Sequence, residues 1–332
     1  MTSITQLRPQ GAQIQGNIEQ QMRQVRWRTV NVKVSDAFLK EHFTFLNTAV
    51  VLRSGREGVP LMTTSGIFGA IEPGQKVRLT PGEGAGVEVL EEKCAGRSLI
   101  DELEEKYHTH TSVREGSAVC VNAKWISVKD GGAIPGLGGS ANVFGGTGSL
   151  LVNDPMLQFP VLDTTHPHYE ETLAYYGGKL LKPREKFFMG FDEILYGMQY
   201  DGRLPDYISG YALQPFGGGG LFVEHHPFPH IFLPQPAMDG QPATSSKILL
   251  GRLIEDAHKH QPYVPAYHFT IFRVPADGSA LTIRPNTIHN DSFTSGPETV
   301  YLADTPANTV ALRQTAPYQN LMAVDVDDAP SA

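Results

Sequence analysis

The sequence predicts a mainly β fold, built from many short strands that are joined by tight turns. Its 332 residues include 34 glycines and 24 prolines, which together exceed one residue in seven. Short apolar runs alternate with turn dipeptides along much of the chain, a pattern typical of β-sheet proteins. A chain of this length can bury a sizeable core, as one large domain or two ordinary ones, without disulfide bonds.

Composition narrows the classes of partner. The formal net charge of −8 argues against a general nucleic-acid-binding surface. The only two cysteines, Cys94 and Cys120, do not form a disulfide framework, which favours a reducing compartment, and we expect a cytoplasmic location. No run approaches the ~18 apolar residues of a membrane span, and the N-terminus lacks the plan of a signal peptide. A small-molecule partner is therefore expected.

Local signals define the elements of the N-terminal part. Ser98 and Asp101 form a capping-box pattern, which predicts a helix that runs to about Tyr107. The other elements predicted before residue 150 are helices over 17–28 and 35–45, short strands over 47–92, a strand over 117–128 and a Gly-rich connection over 130–150.

The C-terminal part reads mostly as strands. Residues 248–257 fit a helix and a strand equally well, because a short apolar run does not distinguish the two. The other predicted elements are an apolar core segment over 187–200, strands over 267–274 and 281–285, and a strand pair over 298–312.

Residues 217–234, GGGGLFVEHHPFPHIFLP, carry the densest chemistry. Because side chains alternate along a strand, Glu224, His226, Phe228 and His230 are predicted to share one face. Imidazole and carboxylate groups suit several divalent metals, and their spacing does not choose among them. The two prolines of the segment remove hydrogen-bond donors, so the strand lies at an edge or breaks into a loop.

This stretch resembles motif 1 of the cupin superfamily, in which a glycine is followed after five residues by His-x-His and after three or four more by Glu. Here Gly218 is followed by Glu224-His225-His226 and then, after three residues, by His230. A glutamate thus takes the place of the first histidine and a histidine that of the glutamate. The set of ligands is kept while its order changes.

A second segment resembles cupin motif 2, which has Gly, five residues, Pro-x-Gly, two residues, His, three residues and Asn. Gly278 and Pro285 lie one residue too far apart for this pattern, and Thr287 replaces its second glycine. His289 follows four residues after the proline. The resemblance covers roughly residues 217–312.

The resemblance implies a cupin-type double-stranded β-helix, or jelly roll, with two cupin-like halves and a few N-terminal and connecting helices. Residues 1–150 would form a β-rich half, and residues 151–332 a half that carries the metal site. It also implies one divalent metal ion, with Fe(II) favoured and Zn, Mn or Ni as alternatives, and a homodimer. The implied metal ligands are Glu224, His226, His230 and His289.

Several polar side chains are candidates for catalysis beside such a metal. His268, Tyr267 and Asp291 are candidates for proton transfer, although a satisfied core histidine is an equal interpretation of His268. Arg284 is predicted to bind a substrate carboxylate if it points inward, and to be a surface charge if it points outward.

A second metal site is a further hypothesis. His108, His110 and Glu115 have the literal cupin spacing of His-x-His, four residues and Glu. The alternative interpretation is a solvated helix end, where histidines are favourable in any case.

The sequence therefore favours a metal-dependent cupin enzyme that acts on a small polar or carboxylated molecule. A non-haem iron oxygenase is the first hypothesis, and a metal-dependent lyase or isomerase is the second. A cupin that binds a small ligand without turnover, and a metal-free β-sandwich with structural histidines, are the alternatives outside catalysis.

Overall fold

The structure is a computed structural model, and it describes residues 67–82, 86–126, 147–152, 159–201, 222–236, 243, 245–254, 265–290, 297–303 and 308–314. Within these ranges the chain is mainly β, as predicted. The helices predicted over residues 17–28 and 35–45 lie outside the described residues. So does the Gly-rich connection up to residue 146, whereas residues 147–150 belong to a strand.

Among the described residues the chain forms two helices and seventeen strands. The helices are α1 (Leu99–Thr109) and α2 (Tyr169–Tyr175). The strands are β1 (Ile67–Ile71), β2 (Lys76–Thr80), β3 (Gly86–Glu91), β4 (Val119–Ile126), β5 (Thr147–Val152), β6 (Val161–Leu162), β7 (Gly178–Leu181), β8 (Lys186–Phe188), β9 (Leu195–Asp201), β10 (Phe222–His225), β11 (His230–Pro234), β12 (Ser246–Ile254), β13 (Ala266–Val274), β14 (Ala280–Ile283), β15 (Ile288–Asn290), β16 (Pro297–Leu302) and β17 (Asn308–Gln314). Neither described helix has the length and apolar character to cross a membrane.

Helix α1 confirms the predicted capping box. The Asp101 backbone N–H donates to Ser98 Oγ at 3.1 Å, and the Ser98 N–H donates to Asp101 Oδ2 at 2.7 Å. These reciprocal bonds satisfy two backbone donors that the first turn of a helix leaves open. The helix ends at Thr109, two residues beyond the predicted end.

The segment that fitted a helix and a strand equally well forms strand β12 as far as Ile254. It is antiparallel to β13 over all nine of its residues, from Ser246 opposite Val274 to Ile254 opposite Ala266. At Gly251 the ring of Phe269 occupies the space that a Cβ atom would need. The glycine thus leaves room for the Phe269 ring, which lies directly opposite it on β13.

The strands form three sheets. A six-stranded sheet has the order β1-β9-β16-β11-β14-β7, and a three-stranded sheet has the order β3-β2-β8. The third sheet has the order β12-β15-β10-β17-β5-β4-β13-β6, and β12 also pairs with β13. That extra pairing closes seven of these strands into a ring, in the order β12-β15-β10-β17-β5-β4-β13. We call this ring the closed sheet.

The pairings of β9 to β16 nest around the connection between β12 and β13. Outward from that connection, β12 pairs with β13, β11 with β14, β10 with β15, and β9 with β16. Successive pairs lie alternately in the closed sheet and in the six-stranded sheet. Strands β9 to β16 therefore form one long antiparallel hairpin that is folded across the two sheets.

Two buried clusters lie on opposite faces of β12 and β13. Leu249 and Phe269 belong to a cluster made by strands of the closed sheet, which we call the closed-sheet core. Ile248, Leu250 and Phe272 belong to a larger cluster that also includes side chains of the six-stranded and three-stranded sheets and both helices, the intersheet core. Alternation along each strand assigns neighbouring residues to the two cores.

Strands on both sides of residue 150 share sheets. β1 pairs with β9, β4 pairs with β13, and β5 pairs with β17. The predicted boundary between residues 1–150 and 151–332 falls within β5.

Candidate metal centre

The His-rich segment crosses from one sheet to the other. β10, in the closed sheet, ends at His225, and β11, in the six-stranded sheet, begins at His230. The prediction that residues 224 to 230 share one strand face is therefore wrong. The alternative, a strand that breaks at its prolines, is confirmed, because Pro227 and Pro229 both lie in the connection.

The two segments that resemble cupin motifs meet between the sheets. β15 is antiparallel to β10, with His289 directly opposite Glu224. Ile288, its neighbour, packs against the closed-sheet core, so His289 faces the intersheet side. His230, on β11, reaches this position from the facing sheet.

His226, His230 and His289 form a compact group, the histidine centre. One potential ligand atom of each lies within 4.8 Å of those of the others, so the group could hold a metal ion. His230 Nδ1 is 3.2 Å from His289 Nε2, and Glu224 Oε1 is 3.8 Å from that same nitrogen. Two nitrogens at about 2.0–2.1 Å from one ion lie roughly 2.8–3.4 Å apart in octahedral or tetrahedral geometry, so the 3.2 Å spacing, which is also a hydrogen-bonding distance, suits shared ligation.

Burial keeps the imidazole of His226 neutral. His226, His230 and His289 are 3%, 4% and 1% exposed, respectively. Desolvation, and secondarily the nearby His289, hold the pKa of His226 well below its usual range. A neutral imidazole keeps the nitrogen lone pair that a metal ion requires.

Backbone carbonyls orient two of the three rings. His226 Nδ1 lies 2.9 Å from the carbonyl oxygen of Phe228, and His289 Nδ1 lies 2.9 Å from that of Thr287. Because a carbonyl oxygen only accepts, each Nδ1 donates and each Nε2 carries the lone pair. His226 Nε2 is buried and has no hydrogen-bond partner among the residues that the structure describes. Metal-binding histidines commonly have this arrangement, which fixes the tautomer and directs the other nitrogen at the ion.

The turn between β14 and β15 supports the centre from behind. Asn286 adopts a left-handed conformation with φ 62°, which asparagine tolerates better than most residues, and its N–H donates to the His226 carbonyl at 2.8 Å. Thr287 Oγ1 donates to the carbonyl of Tyr176 at 3.2 Å, just after α2. The segment that precedes His289 is thus tied both to His226 and to the end of a helix.

Two phenylalanines flank the imidazoles. The Phe228 ring is stacked on His226 with a centroid distance of 3.5 Å and an interplanar angle of 7°. The Phe232 ring lies 4.2 Å from that of His230 at 37°. Sequence analysis assigned no role to Phe228, although the prolines on either side of it were a signal for a fixed local conformation.

The predicted proton-transfer residues occupy different places. His268 Nδ1 lies 2.8 Å from the hydroxyl of Tyr175 on α2, and desolvation with the charge of Arg252 lowers the pKa of its imidazole. Tyr267 packs in the closed-sheet core, with its ring 6.4 Å from that of Trp125, on the opposite face of β13. Asp291 lies outside the described residues.

Arg284 is engaged with helix α1. Its Nε lies 2.9 Å from Glu104 Oε1, an ion pair whose angles fall short of a hydrogen bond. Its guanidinium carbon lies 4.2 Å from the centre of the Tyr107 ring. These contacts give the predicted substrate-binding arginine a structural partner in α1.

The predicted second-site residues lie at and after the end of α1. His108 is exposed and sits 3.7 Å from Glu104, while His110 caps the helix with Nδ1 2.9 Å from the Lys106 carbonyl. Glu115 is exposed in the following turn. Within the described ranges, the histidine centre is the one group of three or more His, Cys, Asp or Glu side chains that lie close enough together to hold a metal ion. His108, His110 and Glu115 are not part of it.

A cluster that was not predicted from the sequence docks both helices onto β12, and we call it the helix-docking cluster: Arg252, Tyr107, Tyr175 and His268. Arg252 Nη1 lies 3.1, 2.9 and 2.5 Å from the carbonyl oxygens of Tyr107, His110 and Tyr175. Its guanidinium carbon also lies 3.8 Å from the Tyr107 ring centre and 4.5 Å from that of Tyr175. A lone arginine in a strand carries no local signal of such distant carbonyl partners.

Comparison with known proteins gives no family for the chain. No family model, no curated protein and no solved structure matches it. The geometry of the histidine centre is therefore the main indication of function.

Proposed function

We propose that this protein is a metal-dependent enzyme of the cupin type. His226, His230 and His289 would hold one divalent ion, with Glu224 as a fourth ligand. The observation that carries the proposal is the buried group of three imidazoles, two of them oriented by carbonyl oxygens so that Nε2 faces the group. Buried polar side chains normally have partners, and a metal ion would supply one for His226 Nε2.

The strand pairing supports the cupin part of the proposal. A jelly roll has eight strands in two sheets with Greek-key connections, and cupins belong to this architecture. The nested pairs from β9 to β16 supply eight strands with that kind of connectivity, and the histidine centre lies between their two sheets. The remaining strands would be extensions of this unit.

The donor set is compatible with iron chemistry, which we propose first. Two imidazoles and one carboxylate are the donor types that non-haem iron oxygenases use, and the centre offers these with one imidazole more. A bound divalent ion would polarise a substrate oxygen, and as iron it would also bind O2. Zn, Mn or Ni in the same ligands would support lyase or isomerase chemistry, which we retain as the second proposal because nitrogen and oxygen donors suit these metals too.

The surroundings of the centre favour a small substrate. The histidines and Glu224 are each at most 4% exposed, and Phe228 and Phe232 adjoin the imidazoles. An apolar setting excludes water and strengthens the electrostatic interactions of a polar or carboxylated group that binds there. As the proposed fourth ligand, the Glu224 carboxylate, 3.8 Å from His289 Nε2, would offset part of the charge of the ion.

Oxygen uptake tests the proposed activity. Protein reconstituted with Fe(II) under anaerobic conditions would be screened with small hydroxy, keto, amino and thiol carboxylic acids in an oxygen electrode. We expect substrate-dependent uptake in the wild type, its loss in His289→Ala, and its retention in His108→Ala, which removes an exposed imidazole.

Other results of that screen separate the competing functions. If the Zn, Mn or Ni form converts a compound without consuming O2, the proposed activity becomes that of a lyase or isomerase. Binding of a compound without conversion by any metal form would indicate a non-catalytic cupin. Equal uptake by the wild type and His289→Ala would contradict the proposed site.

A further inference from the structure

Phe228 contacts His226 in two ways at once. Its carbonyl oxygen accepts the hydrogen bond from His226 Nδ1, and its ring covers the face of the same imidazole. The phenylalanine is 2% exposed, so this contact is protected from water. One residue therefore fixes both the direction of the His226 nitrogen atoms and the plane of the ring.

The stack places the face of the phenyl ring where it would stabilise positive character on the His226 imidazole. Two neutral aromatic rings prefer offset or edge-to-face arrangements, with centroids about 4.5–7 Å apart, over full overlap. Here the centroids are 3.5 Å apart and the planes are within 7° of parallel. The negative face of a phenyl ring attracts a cation, and an imidazole that donates its lone pair to a metal ion acquires partial positive charge.

Local chain geometry holds the phenyl ring in this place. Pro227 and Pro229 restrict the backbone on both sides of Phe228, because each fixes its own φ near −65° and limits the residue before it. The Asn286 N–H fixes the carbonyl of His226 at 2.8 Å. The connection between β10 and β11 is thus a short, restrained segment with little freedom to place the phenyl ring elsewhere.

We propose that Phe228 is a positioning residue for the metal ligand His226, which it holds in the orientation for binding and favours electrostatically in the metal-bound state. The inference rests on the proposed function, because it requires the metal centre. Phe228→Leu keeps the backbone carbonyl that accepts from His226 Nδ1 and removes only the ring, so it should weaken metal binding by about two- to thirtyfold, the contribution of a cation–π contact.

Cobalt binding tests the role of Phe228 without enzyme turnover. Co²⁺ would be titrated into the full chain against a chromophoric chelator, and the visible spectrum of the bound ion would be recorded. Phe228→Leu removes the aromatic face and keeps an apolar side chain. The control is Phe272→Leu, the same change at a fully buried residue whose ring contacts are with Tyr169 and Tyr176.

The expected result is weaker Co²⁺ binding and an altered visible spectrum in Phe228→Leu, with both unchanged in Phe272→Leu. If Phe228→Leu does not fold, pentafluorophenylalanine at position 228 provides the test, because it keeps the ring and reverses the charge of its face. It should weaken Co²⁺ binding in the same direction.

The outcomes distinguish the two proposals. A wild type that binds no Co²⁺ would overturn the metal centre itself and the proposed function with it. A wild type that binds Co²⁺, with the same affinity and spectrum in the folded position-228 variant, would overturn the role of Phe228 alone. Equal weakening by Phe272→Leu would also overturn it, because loss of packing would then explain the effect.

Discussion

The histidine centre and the end of helix α1 both contain histidines that lie close together in the sequence, yet their environments differ. His226, His230 and His289 are buried between two sheets, whereas His108 is exposed and His110 caps the helix. At the helix end, His110 Nδ1 lies 2.9 Å from the Lys106 carbonyl and His108 lies 3.7 Å from Glu104. Between the sheets, two rings are oriented by carbonyls and direct a nitrogen inward. Spacing along the chain thus matters less for assembling the histidine centre than the strand pairing that brings distant residues together.

The largest expected difference between the two regions is in metal affinity. His289→Ala should weaken Co²⁺ binding more than about a hundredfold, because loss of a ligand costs more than the ten- to hundredfold typical of an outer partner. His110→Ala should leave the affinity unchanged. Competition with a chelator measures both, and equal effects in the two variants would remove the distinction between the regions.

Arg252→Ala should remove the contacts that hold the ends of both helices against β12, without changing the histidine centre. The guanidinium lies within hydrogen-bonding distance of three carbonyls and stacks on two tyrosine rings. Its removal should lower the free energy of unfolding by about 2–4 kcal/mol. Arg252→Lys should recover only part of this, because an ammonium lacks the planar fork. Urea denaturation measures the loss, and a simultaneous loss of Co²⁺ affinity in the folded variant would show that the regions are coupled.

Ser98→Ala should have a smaller effect at the opposite end of α1. It removes the side-chain oxygen that accepts the Asp101 N–H, so we expect a loss of about 1 kcal/mol in the free energy of unfolding. Thr111→Ala, which removes an exposed hydroxyl beyond the helix, is the control. A change below the error of urea denaturation would mean that tertiary packing alone fixes the start of α1.

The smallest expected effect is a dependence of stability on pH through His268. Its folded pKa lies below 6.5, so the unfolded chain binds a proton before the folded protein does as the pH falls. The contribution of neutral His268 is present above pH 6.5 and decreases as the pH falls through 6.5 towards the folded pKa. The stability difference between the wild type and His268→Gln should therefore decrease between pH 7.5 and 5.5. A constant difference in urea denaturation across that range would contradict this prediction.

Local chemistry made part of this molecule predictable. The capping box predicted the start of α1, and the strand-forming residues of 267–274 predicted β13. The group of His226, His230 and His289 could also be predicted, through the resemblance to cupin motifs. In each case the signal lies within a few neighbouring residues or in a recurrent motif.

The failures concern contacts between distant segments. A single strand was predicted to display Glu224 and His230 on one face, but the chain crosses between sheets and brings them together from opposite sides. Arg252 was missed because its carbonyl partners lie far away in sequence. Tyr267 is adjacent to His268 but faces the closed-sheet core, and only the pairing of β13 with β12 and β4 reveals which face meets α2. Periodicity predicts which residues share a face but not what that face contacts.

The most direct test of the histidine centre is anomalous diffraction from crystals of protein purified without chelator, with elemental analysis to identify the metal. We predict one metal ion per chain, with an anomalous peak enclosed by His226, His230 and His289 and adjacent to Glu224. Crystals of His226→Ala should lack the peak. The absence of metal from the wild type, or a peak at His108 and His110 instead, would contradict the proposed centre.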